Sequence, residues 1–282
     1  MNTQSGNPTW GEVAEGAPRG CLAACLITDA ERYTGLTETM APTAVVDLIN
    51  HYFGSLFAPV LDNGGVISDV KGDSVLAVWN HESAGAHFKA RACAACLEVV
   101  AAVESFNRQH FSGRLPTRLG LDFGPVAIAR VGAHARYESR AVGDPVNTAS
   151  RLEELNKTLK TRILVSEALA QGVDGFLFRD LGSFHLRGKH FRTRVKELLG
   201  RAERCSLREH EQCREFAQAV AAYELGDAAQ AYKRFRALQS RRPEDGPTRY
   251  YLERLESDAA AGAAYARPVP AGGWLGQLWR SA

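Results

Sequence analysis

The chain has 282 residues, of which 45% are apolar and 23% are charged, and its formal net charge at pH 7 is +2. This length and apolar content are sufficient for one domain with a full-sized core and a smaller second unit. The near-neutral charge gives no electrostatic case for nucleic acid or an anionic membrane as the main partner, so phosphate binding must be local.

Residues 1–19 contain Gly, Pro, Ser and Asn without periodicity, which predicts a flexible leader. The sequence shows neither a signal-peptide core nor a run approaching the roughly 18 uninterrupted apolar residues of a spanning helix. We therefore expect a cytoplasmic protein with no membrane segment.

The cysteines are scattered and predict reduced thiols rather than a disulfide framework. Cys93 and Cys96 have the spacing of half a zinc site, but they lie in an alanine-rich helical stretch without a second ligand pair. Core packing is therefore favoured over metal binding for these two residues.

The first strongly apolar segment, Leu22 to Thr28, predicts a buried strand that ends at Asp29. From Pro42 to Val60 the apolar residues recur at helical spacing, with Thr43 near the start. We expect this helix to pack its wide apolar face on the sheet.

Gly64 to Trp79 predicts a β-hairpin with Lys71-Gly72-Asp73 at its tip. Glycine allows the turn and leaves Asp73 exposed, which suits a carboxylate that binds a hard cation. A Gly-Asp turn taken alone is more often a plain surface turn. Asp29 at a strand end changes the interpretation, because two carboxylates brought together could hold one or two Mg²⁺ ions that bind a triphosphate.

The rest of this region alternates helices and strands. The predicted elements are a helix from His87 to Phe106, a second hairpin from Arg118 to Val131, a helix from Asn147 to Lys157, a strand from Thr161 to Val165, a short helix from Ser166 to Gln171 and two strands within Phe176 to Leu199. Antiparallel hairpins interleaved with helices predict an α+β fold, with helices covering a mixed sheet.

Past Arg204 the sequence becomes helical and rich in alanine, and Gly226-Asp227 divides two helices in the manner of a tetratricopeptide hairpin. One such repeat cannot bury its own apolar face, so residues 205–260 should pack on the preceding domain or on a protein partner. Residues 261–282 form a C-terminal tail. Its stretch from Pro268 to Trp279 predicts either a docking helix or a disordered end.

Four segments of the chain resemble the class III nucleotide cyclases, and they occur in the order found in that family: Leu26 to Thr34, Lys71 to Asp73, Ala141 to Leu152, and Leu186 to Lys189. The third is the most specific, with its Val-Gly-Asp-x-Val-Asn-x-Ala-Ser-Arg pattern. The resemblance covers roughly Gly20 to Leu199. It implies that residues 20–200 form a catalytic domain with the ferredoxin-like cyclase fold, which converts a nucleoside triphosphate to a 3′,5′-cyclic nucleotide and pyrophosphate.

The resemblance also implies roles for individual residues. Asp29, Ala30 and Asp73 would bind two Mg²⁺ or Mn²⁺ ions per site, as in that family. Asn147 would orient the ribose and Arg151 would stabilise the transition state, both from the subunit opposite the acids, so the enzyme would be a homodimer. The plain alternative is that Asn147 caps a helix and Arg151 is a surface residue.

The triphosphate would be held by two further segments. Backbone amides after Asp29 should form a small anion-binding nest, and we place Tyr33 and Thr34 of that loop in the substrate site. Arg187 or Lys189 would reach the terminal phosphates, and the sequence does not decide between them. Arg32 stands where the family usually has glycine, so a positive φ at this position would be strained.

Asp69 and Arg140 occupy the two positions that read the base in this family. In adenylate-forming members these positions carry a lysine and an aspartate or threonine, so the polarity here is inverted. An acceptor beside a donor matches the ring N–H and keto oxygen of guanine or uracil, whereas adenine would meet like groups. This favours GTP or UTP, the latter as in bacterial pyrimidine cyclases of antiphage signalling. Alternatively, the two side chains pair with each other and leave the base unread.

Other functions stay open on the sequence alone. The chain could be an adenylate cyclase, since ATP is the commonest substrate in the family, or a non-catalytic cyclase-like dimerisation module. In a third hypothesis, a partner binds to the helical tail and thereby activates the cyclase domain. The presence of both acids, the asparagine and the arginine favours an active enzyme.

Overall fold

A computed structural model describes residues 18–109, 115–133 and 136–265 of the chain. The strands in this part of the chain are β1 (Arg19–Ala30), β2 (Val66–Lys71), β3 (Ser74–Asn80), β4 (Thr117–Ala133), β5 (Arg136–Val142), β6 (Ile163–Ser166), β7 (Phe176–Phe184) and β8 (Thr193–Arg201). The helices are α1 (Tyr33–Thr39), α2 (Pro42–Asp62), α3 (His81–Ala84), α4 (Phe88–Gln109), α5 (Asp144–Leu159), α6 (Glu167–Ala170), α7 (Leu207–Glu224), α8 (Ala228–Arg241) and α9 (Gly246–Tyr265).

The strands form one mixed sheet in the order β2-β3-β1-β4-β6-β8-β7, and β5 pairs with β4. Most neighbours are antiparallel, whereas β4 and β6 are parallel. Helices cover this sheet, so the predicted α+β architecture with a mixed sheet and covering helices is confirmed. A small helical region follows it, as expected.

The main core lies between the sheet and helices α2 and α4. It contains Tyr52 and Leu56 of α2, Val99 of α4 and Trp79 of β3, all of which are almost fully buried. Gly65 is required beside this core, because a Cβ at that position would lie 2.5 Å from the Trp79 ring. These contacts confirm the predicted packing of the long apolar helix on the sheet.

The second predicted hairpin is wrong in its position. Arg118 to Val131 does not turn at Gly124-Pro125 but runs through the single long strand β4, whose hairpin partner is β5. Pro125 is tolerated because it lies between the part of β4 that pairs with β6 and the part that pairs with β5. The long β4 gives β1 a continuous partner from Arg19 to Ala30.

Helix α5 packs very closely on β4 at Gly120. A Cβ on Gly120 would lie 2.0 Å from the carbonyl oxygen of Ala149 and 2.3 Å from the amide nitrogen of Glu153, so glycine is needed for the approach of the two backbones. Leu152 and Leu159 of α5 belong to a second apolar cluster, which also contains residues of the C-terminal helices. Helix α5 therefore lies between the sheet and the C-terminal helices.

The C-terminal helices α7, α8 and α9 pack on β7 and α5. Their apolar cluster includes Phe216, Phe235 and Tyr251 together with Leu181 of β7. The Tyr251 hydroxyl donates a hydrogen bond to the carbonyl oxygen of Leu181, 2.5 Å away. Three helices fill the region in which the sequence predicts a two-helix hairpin, and their apolar face lies against the preceding domain of the same chain.

The sequence also makes predictions about the two chain ends, the cysteines and membrane-spanning segments. The leader, and the tail segment from Pro268 to Trp279, lie outside the described residues, apart from the last two positions of the leader. Burial raises the pKa of the Cys93 thiol to about 12, which keeps it protonated among the apolar residues of α4. One described helix, α2, has the length and apolar composition to cross a membrane, but it packs on the sheet through Tyr52 and Leu56.

Candidate active site

The fold brings Asp29 and Asp73 together from separate elements. Asp29 is the penultimate residue of β1, and Asp73 lies in the β2–β3 turn beside Gly72, whose φ is +62°. The backbone N–H of Ala30 donates to Oδ2 of Asp73 over 3.1 Å. The hairpin tip is thus joined directly to the end of β1, as the paired-carboxylate hypothesis requires.

Arg118, at the start of β4, is the centre of a charge cluster beside this pair. Its register places it opposite Asp29, and its side chain is 9% exposed. Each guanidinium nitrogen contacts a different carboxylate: Nη2 lies 2.5 Å from Oδ2 of Asp29, Nη1 lies 3.0 Å from Glu31, and Nε lies 2.8 Å from Glu153. Arg118 therefore joins the metal-site strand to α5.

The electrostatics of the cluster favour a bound cation. Burial, together with the neighbouring Asp29 carboxylate, raises the pKa of Asp73. Burial also raises the pKa of Glu153, against the opposing effect of Arg118. A divalent cation would offset this clustering of negative charge.

The donor set fits Mg²⁺ or Mn²⁺. These ions are commonly held by one or two carboxylates and completed by substrate phosphates and water. Among the described residues there is no group of three or more His, Cys, Asp and Glu side chains that could hold a metal by themselves. The site therefore resembles one that the substrate completes, and Asp29, Asp73 and the carbonyl oxygen of Ala30 are the groups placed to contribute.

The loop after Asp29 has the strained backbone that the sequence suggests. Arg32 has φ 67° and ψ 9°, in the left-handed region, and precedes the first turn of α1. A residue with a Cβ costs about 1 kcal/mol or more in this conformation relative to glycine. Thr34 is exposed, whereas Tyr33 packs partly against the main core.

Asn147 and Arg151 lie on α5, which begins after Gly143 with Pro145 in its first turn. Asn147 is exposed inside the helix and does not cap it. Arg151 is half-exposed, and its Nη1 lies 3.2 Å from Glu154. Within the described residues, no hydrogen bond or ion pair joins either side chain to Asp29 or Asp73.

The two candidate phosphate ligands differ in their surroundings. Arg187 is exposed in the β7–β8 connection. Lys189 pairs with Asp144 at the start of α5, so its ammonium group already lies beside the helix that carries Asn147. The structure places both residues at the same loop and does not choose between them.

Asp69 and Arg140 lie on adjacent parts of β2 and β5. Nη2 of Arg140 lies 3.4 Å from Oδ1 of Asp69, so the two proposed base readers contact each other. A nearby hydrogen bond, from the Ala141 amide to the Ser68 hydroxyl over 3.0 Å, joins the same two strands. The ion pair is long and partly exposed, with 42% of the Arg140 side chain and 27% of the Asp69 side chain accessible.

Sequence reasoning missed Arg118 and Glu153. In the sequence, Arg118 looks like an ordinary strand residue. Its contact with Asp29 depends on the β1–β4 register, which places the two residues opposite each other. Glu153 lies two residues after Arg151 and reads as a surface helical acid, although it is 6% exposed. The available signal was Gly120, which marks the close approach of a helix to this strand.

The sequence profile of the adenylate and guanylate cyclase catalytic domain matches residues 21–198. The chain belongs to this family. The match spans β1 to β8 and includes every residue that the sequence singled out for the site. It places the chain in a family of phosphorus–oxygen lyases, as expected.

Two curated relatives illustrate the similarity. Adenylate cyclase 1 of Rhizobium meliloti strain 1021 is 35% identical over 179 residues, covering 62% of this chain and 27% of the relative. The terminal-differentiation specific adenylate cyclase of Dictyostelium discoideum is 27% identical over 236 residues, covering 80% of this chain and 11% of the relative. The chain thus spans about a quarter of the first relative and a tenth of the second.

Solved structures show the same fold. The adenylyl cyclase CyaB of P. aeruginosa superimposes with a TM-score of 0.60 at 21% identity, covering 68% of this chain and 100% of that one. The guanylyl cyclase Cya2 gives a TM-score of 0.60 at 22% identity, covering 68% and 98%. Cyclases whose names specify different bases therefore share this fold, so the fold does not identify the base.

Proposed function

We propose that this protein is a homodimeric class III nucleotide cyclase that converts UTP or GTP to the 3′,5′-cyclic nucleotide and pyrophosphate, with Mg²⁺ or Mn²⁺ at Asp29 and Asp73. The observation that carries the proposal is the convergence of the two carboxylates, through the hydrogen bond from the Ala30 amide to Asp73. The family match supports the reaction class.

The roles of the residues follow from the chemistry of the reaction. The ribose 3′ oxygen attacks the α-phosphorus in line, the bond to pyrophosphate breaks, and negative charge grows on the phosphoryl oxygens. Asp29 and Asp73 would hold the metal ions, which would supply charge neutralisation and ease the loss of the 3′ hydroxyl proton. Asn147 orients the ribose, Arg151 stabilises the growing charge, and Arg187 or Lys189 binds the terminal phosphates.

The dimer is proposed because one chain does not complete the site. Among the described residues, Asn147 and Arg151 make no hydrogen bond or ion pair with Asp29 or Asp73. Four exposed aliphatic side chains among the described residues lie on strands of the same sheet: Leu22, Val70, Val142 and Leu199, which are 56%, 42%, 52% and 36% exposed. A second copy of the chain would cover such apolar surface and supply the missing half of each site.

The keto-base preference rests on the inverted polarity of Asp69 and Arg140. Uracil and guanine present a ring N–H for Asp69 and a keto oxygen for Arg140, whereas adenine and cytosine present the opposite pattern. The contact between the two side chains supports the alternative in which neither reads the base, and that alternative would leave ATP as a substrate.

The substrate is tested by product analysis. Purified protein is incubated with Mn²⁺ or Mg²⁺ and each of the four ribonucleoside triphosphates, and cyclic products are quantified by chromatography and mass spectrometry. We expect cyclic UMP or cyclic GMP to dominate. A preference for ATP would reject Asp69 and Arg140 as base readers, and no cyclic product from any triphosphate would favour the non-catalytic module.

Replacement of the base reader sharpens this test. Arg140→Ala should lower kcat/KM for the best substrate roughly tenfold to a hundredfold and change the poor substrates little, since one desolvated hydrogen bond is lost. The matched control is Arg19→Ala, which removes an exposed ion pair with Glu82. Arg19 is the first residue of β1 and lies at the end of this strand that is far from Asp29. Equal losses of kcat/KM across all four triphosphates would indicate that Arg140 positions the dimer or the phosphates instead of the base.

Mixed dimers test the shared site. Asp73→Ala and Arg151→Ala proteins should each be inactive and should regain activity together, because a mixed dimer rebuilds one complete site. Recovery is measured after subunit exchange has been shown by two-tag purification. Purified mixed dimers without activity would indicate that the site lies within one chain.

The remaining parts of the proposal concern the setting of the enzyme. We take residues 20–200 as the catalytic domain and 205–260 as a tetratricopeptide-like unit that receives a protein partner. The proposal includes a cytoplasmic role in antiphage signalling, as for bacterial pyrimidine cyclases. Cyclic UMP as the product would support that role, whereas cyclic GMP would not.

A further inference from the structure

Each chain carries two half-sites that, in the proposed head-to-tail dimer, serve different active sites. The metal half contains Asp29 and Asp73, and the ribose half contains Asn147 and Arg151 on α5. Arg118 contacts both: its Nη2 binds Asp29, and its Nε binds Glu153 of α5. Arg118 is the described side chain that joins the two half-sites through ion pairs on both sides.

The contact with Asp29 leaves one carboxylate oxygen for a metal. All the ion pairs found for Asp29 in the described part of the chain use Oδ2: Nη2 of Arg118 is 2.5 Å from it, and Nζ of Lys157 is 3.9 Å from it. A carboxylate held through one oxygen presents the other in a defined direction, which is how residues behind metal ligands orient them. Arg118 is nearly buried, so its guanidinium has little freedom to move.

The contact with Glu153 acts on α5. Glu153 is buried and lies on the turn of α5 that packs against Gly120 of β4. Arg151 is two residues earlier in the same helix and its side chain is half-exposed. A shift of α5 at Glu153 would therefore move the guanidinium of Arg151.

We propose that Arg118 is a positioning residue that orients Asp29 for the metal and, through Glu153, places α5 for catalysis at the other site of the dimer. This inference rests on the proposed cyclase function and on shared sites. It makes one side chain responsible for two separable effects, on metal binding in one half-site and on turnover in the other.

Metal binding by itself gives the first test. Mn²⁺ binding to the intact dimer is measured by electron paramagnetic resonance of the free ion, without turnover. Arg118→Met should weaken Mn²⁺ binding about tenfold to a hundredfold, the usual cost of removing a group that orients a metal ligand. Glu153→Gln keeps the contact of Arg118 with Asp29 and should leave Mn²⁺ binding within about twofold of the wild type.

Mixed dimers with a single working site then separate the two effects. Paired with an Asp73→Ala chain, the Arg118→Met chain supplies only the metal half of the working site, and the Mn²⁺ concentration for half-maximal activity should rise about tenfold or more. Paired with an Arg151→Ala chain, it supplies only α5, and kcat should fall about tenfold with no change in Mn²⁺ dependence. Glu153→Gln should show only the second effect.

The controls distinguish failure of this inference from failure of the proposed function. The mixed dimer of Asp73→Ala with Arg151→Ala has an unaltered Arg118 in both chains and must be active; its inactivity would reject shared sites. With that control active, normal Mn²⁺ binding by Arg118→Met, or full kcat when it supplies α5, overturns the inference. If Arg118→Met does not fold, Arg118→Lys is used instead, because lysine keeps the charge but reaches fewer carboxylates. Normal Mn²⁺ binding by this variant, or full kcat when it supplies α5, would likewise overturn the inference.

Discussion

Two nearly buried arginines of this protein use the same chemistry in different surroundings. Arg118 contacts three carboxylates, and two of these, Asp29 and Glu31, have side chains that are 29% and 40% exposed. Arg179 of β7 contacts Glu197 and Asp245, which are only 12% and 9% exposed, and its guanidinium lies 5.0 Å from the centre of the Phe216 ring. The first cluster opens to solvent, whereas the second is closed.

We interpret this difference as that between a functional cluster around Arg118 and a structural cluster around Arg179. Around Arg118 the carboxylates outnumber the nearby cations, and one of them ends a strand at the candidate metal site. Around Arg179 the charges are enclosed between the sheet and the C-terminal helices, where Asp245 also accepts hydrogen bonds from Thr248 at the start of α9. Solvent access and unbalanced charge are the two properties in which the Arg118 cluster differs from the Arg179 cluster.

The largest effect on activity is expected for the candidate metal ligands at the open cluster around Arg118. Asp29→Asn and Asp73→Asn should each lower kcat roughly a thousandfold or more, because a neutral amide is a poor ligand for a metal whose contribution is several kcal/mol. Initial rates with Mn²⁺ measure this effect. Asp174→Asn, an exposed acid before β7, is the control and should leave the rate unchanged. Appreciable turnover by either acid variant, or by the wild type in EDTA, would contradict the two-acid mechanism.

The closed cluster should affect stability instead. Arg179→Met leaves Glu197 and Asp245 buried without their cation, and the free energy of unfolding should fall by about 3–5 kcal/mol in urea titrations. Mn²⁺ binding by the folded variant should stay at the wild-type level. Loss of metal binding without loss of stability would reverse the assignment of the two clusters.

The closed cluster around Arg179 should also make stability depend on pH, through Asp245. Burial acts to raise the pKa of Asp245, but the Arg179 charge and the hydrogen bonds from Thr248 and Arg179 lower it below the ordinary value of 3.8. A lowered pKa in the folded state contributes stability that is present above pH 3.8 and is lost as the pH falls through the folded value.

Asp245→Asn should therefore lower the free energy of unfolding by about 1–3 kcal/mol at pH 6, and the difference from the wild type should shrink below pH 4. Urea unfolding at a series of pH values measures this. Asp174→Asn should show no such trend, since that acid is exposed. A difference that is constant with pH would mean that the Asp245 charge does not contribute.

The smallest effect is expected for Lys157. Its ammonium group is 3.9 Å from Oδ2 of Asp29, but its side chain is 51% exposed, so solvent and salt screen the interaction. Lys157→Met should change Mn²⁺ affinity by less than about twofold, and the change should vanish in high salt. A larger, salt-resistant effect would show that Lys157 shares the proposed role of Arg118.

The fold class and the family were predictable from the sequence and are confirmed, whereas the candidate metal ligands stay a prediction. These follow from local signals: a strand ending in Asp29, a Gly-Asp turn at Asp73, and a long motif over the start of α5. The sequence also identified Arg32 as a point of backbone strain, because an unusual residue at a glycine position is visible without a structure. The positive φ of Arg32 confirms that prediction.

The side chains that reach Asp29 from distant parts of the sequence could be identified from the folded chain alone. The second hairpin was misplaced because Gly124-Pro125 has the composition of a turn, and the tolerance for proline depends on which neighbours of β4 are paired there. Arg118 and Glu153 meet Asp29 only through the β1–β4 register and the close approach of α5 at Gly120. Register and helix packing are set by contacts between residues far apart in sequence; Gly120 marks the approach of a helix to β4 but does not identify the side chains that meet there.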